Sequence, residues 1–193
     1  MDPEEAGIDP ADRVALLAYG SNAAPRVLAR KLALSHDPVL VVPATLHGFD
    51  VVYSAHISPY GAIPATLQRS PGTAVGVHVI YMTADQVELI TATEPNYEPA
   101  SLKDVECRLE GGETHTELIA YVSRHGCLLL DGAEVALAAV PATARTLPEL
   151  SEPEALERVR ALTAPDEDLD SFVLANVVDP RLARKRSSVL LHI

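Results

Sequence analysis

The residues best placed to do chemistry form a short loop and a single acid. Tyr19-Gly20-Ser21-Asn22 follows the apolar run Val14 to Tyr19 (VALLAY). A strand that ends in Gly and small polar residues before a helix presents several backbone N–H groups together. Such a loop can hold a carboxylate or a developing oxyanion. The same four residues also suit an ordinary strand-to-helix turn capped by Ser21 or Asn22. The acid is Glu94, at the end of the helix predicted from Thr83-Ala84-Asp85-Gln86 onward and followed by Pro95-Asn96-Tyr97. A carboxylate at a helix C-terminus faces the negative end of the helix dipole. A buried acid there is a candidate for moving protons, whereas a solvated one is inert. Glu98 is the competing acid and is expected to be exposed in a loop.

Other chemistries lack their signatures. The chain has no GxSxG, Walker loop, GxGxxG or HExxH. Seven histidines lie scattered at 36, 47, 56, 78, 115, 125 and 192, without metal-ligand spacing. Cys107 and Cys127 form no CxxC pair. They read as buried thiols, with a cross-strand disulfide as the lesser alternative. No metal and no cofactor is expected.

The elements that must position these groups can be read from periodicity. Val14 to Tyr19 is a continuous apolar run, as in a strand buried on both faces. Pro25 suits the first turn of the helix that follows. Four strands come next: Val39 to Val42, Leu46 to Tyr53 with a bulge at Gly48, Ile63 to Gln68, and Ala74 to Tyr81. Ser70-Pro71-Gly72-Thr73 is read as the turn between the last two. A capped helix runs from Thr83 to about Glu94, stopped by Pro95. Strands at Asp104 to Leu109 and Glu117 to Ser123 flank Gly111-Gly112. Beyond them, Leu128 to Leu130 and Glu134 to Val140 look extended, while Glu152 to Leu162 and Asp168 to Asn176 look helical. The expectation is an α+β fold: a small mixed, mainly antiparallel sheet or barrel with a helical C-terminal extension.

Composition sets limits on the partners. The 193 residues carry a formal net charge of −12, so most of the surface repels nucleic-acid phosphates. The one basic cluster, Arg181, Arg184, Lys185 and Arg186, reads as a solvated helix end or a partner for the chain's own acidic face. Hydrophobic residues make up 48% of the chain and aromatics 4%, so Val, Leu, Ile and Ala must build the core. No apolar run is long enough to span a membrane, and Met1-Asp2-Pro3-Glu4-Glu5 lacks the basic end of a signal peptide. The cytoplasm is the default location.

Together these residues resemble the gamma-glutamylcyclotransferase-like (AIG2-like) family. The likeness runs through LLAYGSNAAP (16–25), HGFDVVYS (47–54), GAIPATLQRSPGTAVGVHVIYMT (61–83) and the helix DQVELITATE, in order and spacing, over roughly residues 14–123. It implies a small mixed β-barrel flanked by helices, with a pocket between the loop and the glutamate. It implies that Tyr19, Gly20, Ser21 and Asn22 bind a γ-glutamyl group and that Glu94 is the catalytic acid–base. It gives Tyr97 the place of a binding tyrosine that family members carry further downstream. Members often have Leu-Asp before the glutamate and Gly after it, where this chain has Ile90-Thr91 and Pro95. The implied reaction is attack of the substrate's α-amine on its own γ-carbonyl. It releases 5-oxoproline and an amine and needs neither metal nor cofactor. Two alternatives stay open: a non-catalytic binding or interaction module of the same fold, and a related amide-cleaving enzyme of specialised metabolism. Residues 1–13 are expected as a flexible acidic leader. Residues 124–193 are expected as a mainly helical extension that covers the pocket or builds a homodimer surface.

Overall fold

The computed structural model describes residues 8–192. Of the expected leader, residues 1–7 lie outside the described part. Ile8 is buried, and Pro10–Asp12 form one 3-10 turn capped by Asp9.

Five long strands make the body. They are β1 (Val14–Ala18), β2 (Leu40–Tyr53), β3 (Ala65–Met82), β4 (Tyr97–Leu109) and β5 (Thr114–Ser123). Their order is β2-β4-β5-β1-β3, and β3 pairs back onto β2, which closes the ring into a barrel. All of these pairs are antiparallel except β1 with β5. Closure removes the free edges that an open sheet of this length would expose.

β1 runs between β3 and β5, so it is covered on both faces, as its unbroken apolar run requires. Leu17 points to the core shared with Leu46, Val51, Val75, Val79 and Leu118. Leu16 and Ala18 point the other way, against Leu28, Leu32 and Ile90 of the two flanking helices. Those helices are α1 (Pro25–Lys31) and α2 (Ala84–Ala92). Thr83 and Gln86 form the expected capping box on α2.

Two pairs of expected strands are in fact single ones. Leu40–Tyr53 make one strand, bent where the register shifts between His47 and Phe49. The bulge falls on Gly48, whose φ of +77° suits a residue without Cβ. Opposite it, Ser70 to Thr73 bulges out of β3 between Arg69 and Ala74. The expected turn is therefore an excursion within one continuing strand, pinned by the Ser70 Oγ to Thr73 Oγ1 contact of 2.8 Å.

After β5 the chain makes five two-residue strands. β6 (Leu129–Leu130) pairs with β7 (Ala133–Glu134). β8 (Ala136–Leu137) pairs with β2 at Val52, β9 (Ala142–Thr143) with β3 at Ala74 and Val75, and β10 (Glu149–Leu150) with β8. Three helices follow: α3 (Glu152–Thr163), α4 (Leu169–Val178) and α5 (Pro180–Leu190). They pack around Phe172 against Tyr53, Ile57 and Ile63. The helix α5 carries the basic cluster, and one of its members departs from the solvated reading. Arg186 is buried, bonded to Glu167 and to Asn176 Oδ1, and lies over the Phe172 ring. Cys107 and Cys127 are both free thiols; Cys107 is buried, whereas Cys127 is only half-buried. Among the described residues no helix is long and apolar enough to cross a membrane.

Candidate functional site

The loop leaves β1 at Tyr19. Ser21–Ala23 then make one 3-10 turn, and Ala24 leads into α1 with Pro25 in its first turn. Neither Ser21 nor Asn22 caps that helix, contrary to the turn-and-cap reading, because Ala24 is its N-cap and Asn22 is engaged elsewhere. Gly20 and Ser21 are exposed, while Tyr19 and Asn22 are half-buried. The leading N–H groups of a helical turn have no acceptor within it, so the Ser21 and Asn22 amides are the loop's available donors.

Glu94 comes one residue after Thr93, the C-cap of α2. Its carbonyl accepts from the Tyr97 N–H at 3.0 Å, a turn with Pro95 in the position proline favours. The turn delivers Tyr97 as the first residue of β4 and holds the Glu94 side chain over the loop. Asn22 Nδ2 donates to Glu94 Oε1 at 2.9 Å. The loop and the acid, 72 residues apart in sequence, are therefore in direct contact.

A third residue joins them that the sequence reading did not single out. Lys31, the last residue of α1, places Nζ 2.5 Å from Glu94 Oε1 and 2.8 Å from Asn22 Oδ1. This ammonium offsets the clash between a carboxylate and the negative end of α2. It also favours the C-terminus of its own helix for the same reason.

The two tyrosines sit behind this triad. The Tyr19 hydroxyl donates to the Tyr121 carbonyl on β5. The Tyr97 hydroxyl donates to the Ala65 carbonyl on β3 at 2.8 Å. Burial pushes both phenols well above their usual range, and the neighbouring Glu94 charge pushes the same way. Both stay protonated at neutral pH, each with its single hydrogen committed to a backbone carbonyl. Tyr121, also missed from sequence, has its hydroxyl 2.6 Å from Thr91 Oγ1 on α2. Glu98 is exposed, as expected, but it lies on β4 rather than in a loop, because β4 begins at Tyr97, and it pairs with Arg124.

Two of the scattered histidines meet beside Tyr97. His56 and His125 stack with ring centroids 4.3 Å apart. His56 Nδ1 lies 2.8 Å from Ser54 Oγ, which lies 2.6 Å from Ser123 Oγ. Burial lowers His56 to about 4, with the His125 charge acting in the same direction, so the ring is neutral at pH 7. They stand on segments 69 residues apart, so no spacing rule could have paired them. Among the described residues no cluster of three His, Cys, Asp or Glu side chains could hold a metal.

No family model matches the chain, and no curated protein matches it. Solved structures match in part. A protein of Arabidopsis thaliana, At5g39720.1, is 24% identical, with a TM-score of 0.47 over 60% of this chain and 72% of its own. A gamma-glutamyl cyclotransferase is 18% identical, with a TM-score of 0.46 over 58% of this chain and 68% of its own. YkqA from Bacillus subtilis is 12% identical, with a TM-score of 0.47 over 63% of this chain and 47% of its own.

Proposed function

We propose that this chain is a gamma-glutamylcyclotransferase-like enzyme that releases 5-oxoproline and an amine from a γ-glutamyl amide. One observation carries the reading: the Asn22 side chain of the loop is bonded to the Glu94 carboxylate at 2.9 Å. A proton acceptor and a set of backbone donors then share one small site. The loop amides of Ser21 and Asn22 take the γ-carbonyl oxygen as it gains negative charge. The bound α-ammonium first gives up one proton to solvent, and Glu94 removes another from the resulting amine as it attacks the γ-carbonyl carbon of its own molecule. The C–N bond to the leaving amine breaks, and Glu94 returns the proton to that nitrogen. The attack is intramolecular, so the site needs only to hold the five-membered approach and to place one carboxylate.

The contact of Lys31 with Glu94 favours a second reading, a binding module without turnover. The ammonium occupies one oxygen of the carboxylate that must accept the amine's proton. A panel of γ-glutamyl amines assayed for 5-oxoproline decides between them, run beside Glu94→Gln. Release of 5-oxoproline that depends on Glu94 supports the enzyme. Release that survives in the variant removes the role of Glu94. An inert panel with retained ligand binding selects the module.

A further inference from the structure

Lys31 has three N–H donors. One goes to Glu94 Oε1 and one to Asn22 Oδ1; the third has no acceptor among the described residues. Glu94 shows the same economy from the acidic side. Oε1 takes both Lys31 and Asn22, while Oε2 receives no donor among the described residues. That oxygen is not one of the buried polar atoms left without a partner, so it reaches solvent. The two side chains are 12% and 14% exposed, mostly covered but open at one end. Side by side, the site offers one spare cationic donor and one spare carboxylate oxygen.

A ligand that satisfies both must carry an ammonium and a carboxylate a short distance apart. That is the zwitterionic head of an α-amino acid. A charged partner placed on each spare group makes a charge-assisted hydrogen bond, which is stronger than a neutral one. We infer that Lys31 is a specificity-determining residue, pairing with the ligand's α-carboxylate while Glu94 Oε2 takes its α-ammonium. This inference rests on the proposed γ-glutamyl site and narrows its substrates. Compounds with a free α-carboxylate are accepted, and those blocked there, such as a peptide that begins with glutamine, are rejected.

The test is a binding measurement that needs no turnover. L-methionine sulfoxide places an S=O where the γ-carbonyl would lie and has no amide to cleave; its α-carboxamide differs only at the group Lys31 reads. Titration calorimetry is run with both compounds on the full chain and on Lys31→Met and Lys31→Arg. The wild type is expected to prefer the free carboxylate by about tenfold. Lys31→Met brings that ratio close to one by weakening only the carboxylate compound, and Lys31→Arg keeps most of it. Thermal unfolding checks that each variant is folded. If the Met variant is not, Lys31→Gln, which keeps a neutral donor, takes its place with the same expected loss. Equal affinity in the wild type, an unchanged ratio without the charge, or no binding of either compound at millimolar concentration overturns the inference. Discrimination without 5-oxoproline release in the separate assay removes the proposed reaction and leaves the amino-acid site. Release without discrimination does the reverse.

Discussion

Two ion pairs of similar burial do different things here. Asp50 is fully buried and Arg145 is 10% exposed, against 14% and 12% for Glu94 and Lys31. The first pair has both carboxylate oxygens occupied. Arg145 Nε and Nη2 reach the two oxygens of Asp50 at 2.8 and 2.9 Å, and two more of its five donors go to Glu149 and the Val140 carbonyl. Asp50 Oδ1 also accepts the Val51 N–H. This pair stitches residues 140–149 to β2, and neither oxygen of its carboxylate is left for a ligand. The second pair is unsaturated, with a lone ammonium in place of a bidentate fork. Burial alone therefore does not separate scaffold from site; the count of unused donors and acceptors does.

The comparison makes opposite demands on the two pairs. Glu94→Gln should lower turnover by ~10²–10⁴-fold, the usual worth of a positioned acid–base. Its stability should fall by only about 1–2 kcal/mol, because the Gln amide oxygen can still accept from Lys31 and Asn22. Stopped assays of 5-oxoproline with a parallel urea titration measure both. Arg145→Ala should do the reverse, costing about 3–5 kcal/mol of unfolding free energy by stranding a buried carboxylate. Turnover per folded molecule should stay put. A loss under 1 kcal/mol would break the comparison from the scaffold side.

A third test concerns His56, which is buried with its Nδ1 bonded to Ser54. Its folded pKa of about 4 lies below the ordinary 6.5, so between these values the unfolded chain binds the extra proton. Stability contributed by the neutral ring is complete above pH 6.5 and is lost as pH falls toward 4, by up to about 3 kcal/mol. His56→Gln should flatten that slope in urea titrations run across the window; an unchanged slope assigns it to other groups. The smallest effect is expected at Tyr97. Its one hydrogen is committed to Ala65, so Tyr97→Phe should cost about 1 kcal/mol of stability. The KM for a γ-glutamyl amide should barely change. A large rise in KM would move Tyr97 from scaffold to ligand contact.

Much of the frame was legible in the sequence because it rests on local rules. The run VALLAY fixed β1, Thr83 with Gln86 fixed the start of α2, and Gly48 marked the bulge. Two strands were each read as a pair, since Pro43, Gly48 and Ser70 to Thr73 look like chain breaks. A long ladder absorbs such residues by bulging, which no window of a few residues reveals. The end of the chain was less legible still. Pro180 starts α5 at N1, where proline is tolerated, so a rule that takes proline as a helix stop misses the helix that begins there. At the site, Asn22 and Glu94 were legible as separate motifs. Lys31 was not, because Arg26 and Arg30 share its helix and only the tertiary path of α1 decides which cation reaches the acid. His56 and His125 escaped for the same reason.

The parallel pairing of β1 with β5 has a consequence for how the molecule assembles. β2 and β3 are close in sequence and can zip together early. β1 can join β3 along one edge, but its other edge closes only when Leu16 and Leu17 meet Ile119 and Ala120, and Tyr19 and Tyr121, which seal that seam, stand 102 residues apart. Loops of that span are slow to close, and their entropy is spent before the contacts form. The loop at Tyr19 to Asn22 thus hangs from the strand whose seam spans the greatest length of chain. A chain whose seam is still open can own most of its secondary structure and yet have no site, so ligand binding reports the last stage of folding rather than the first.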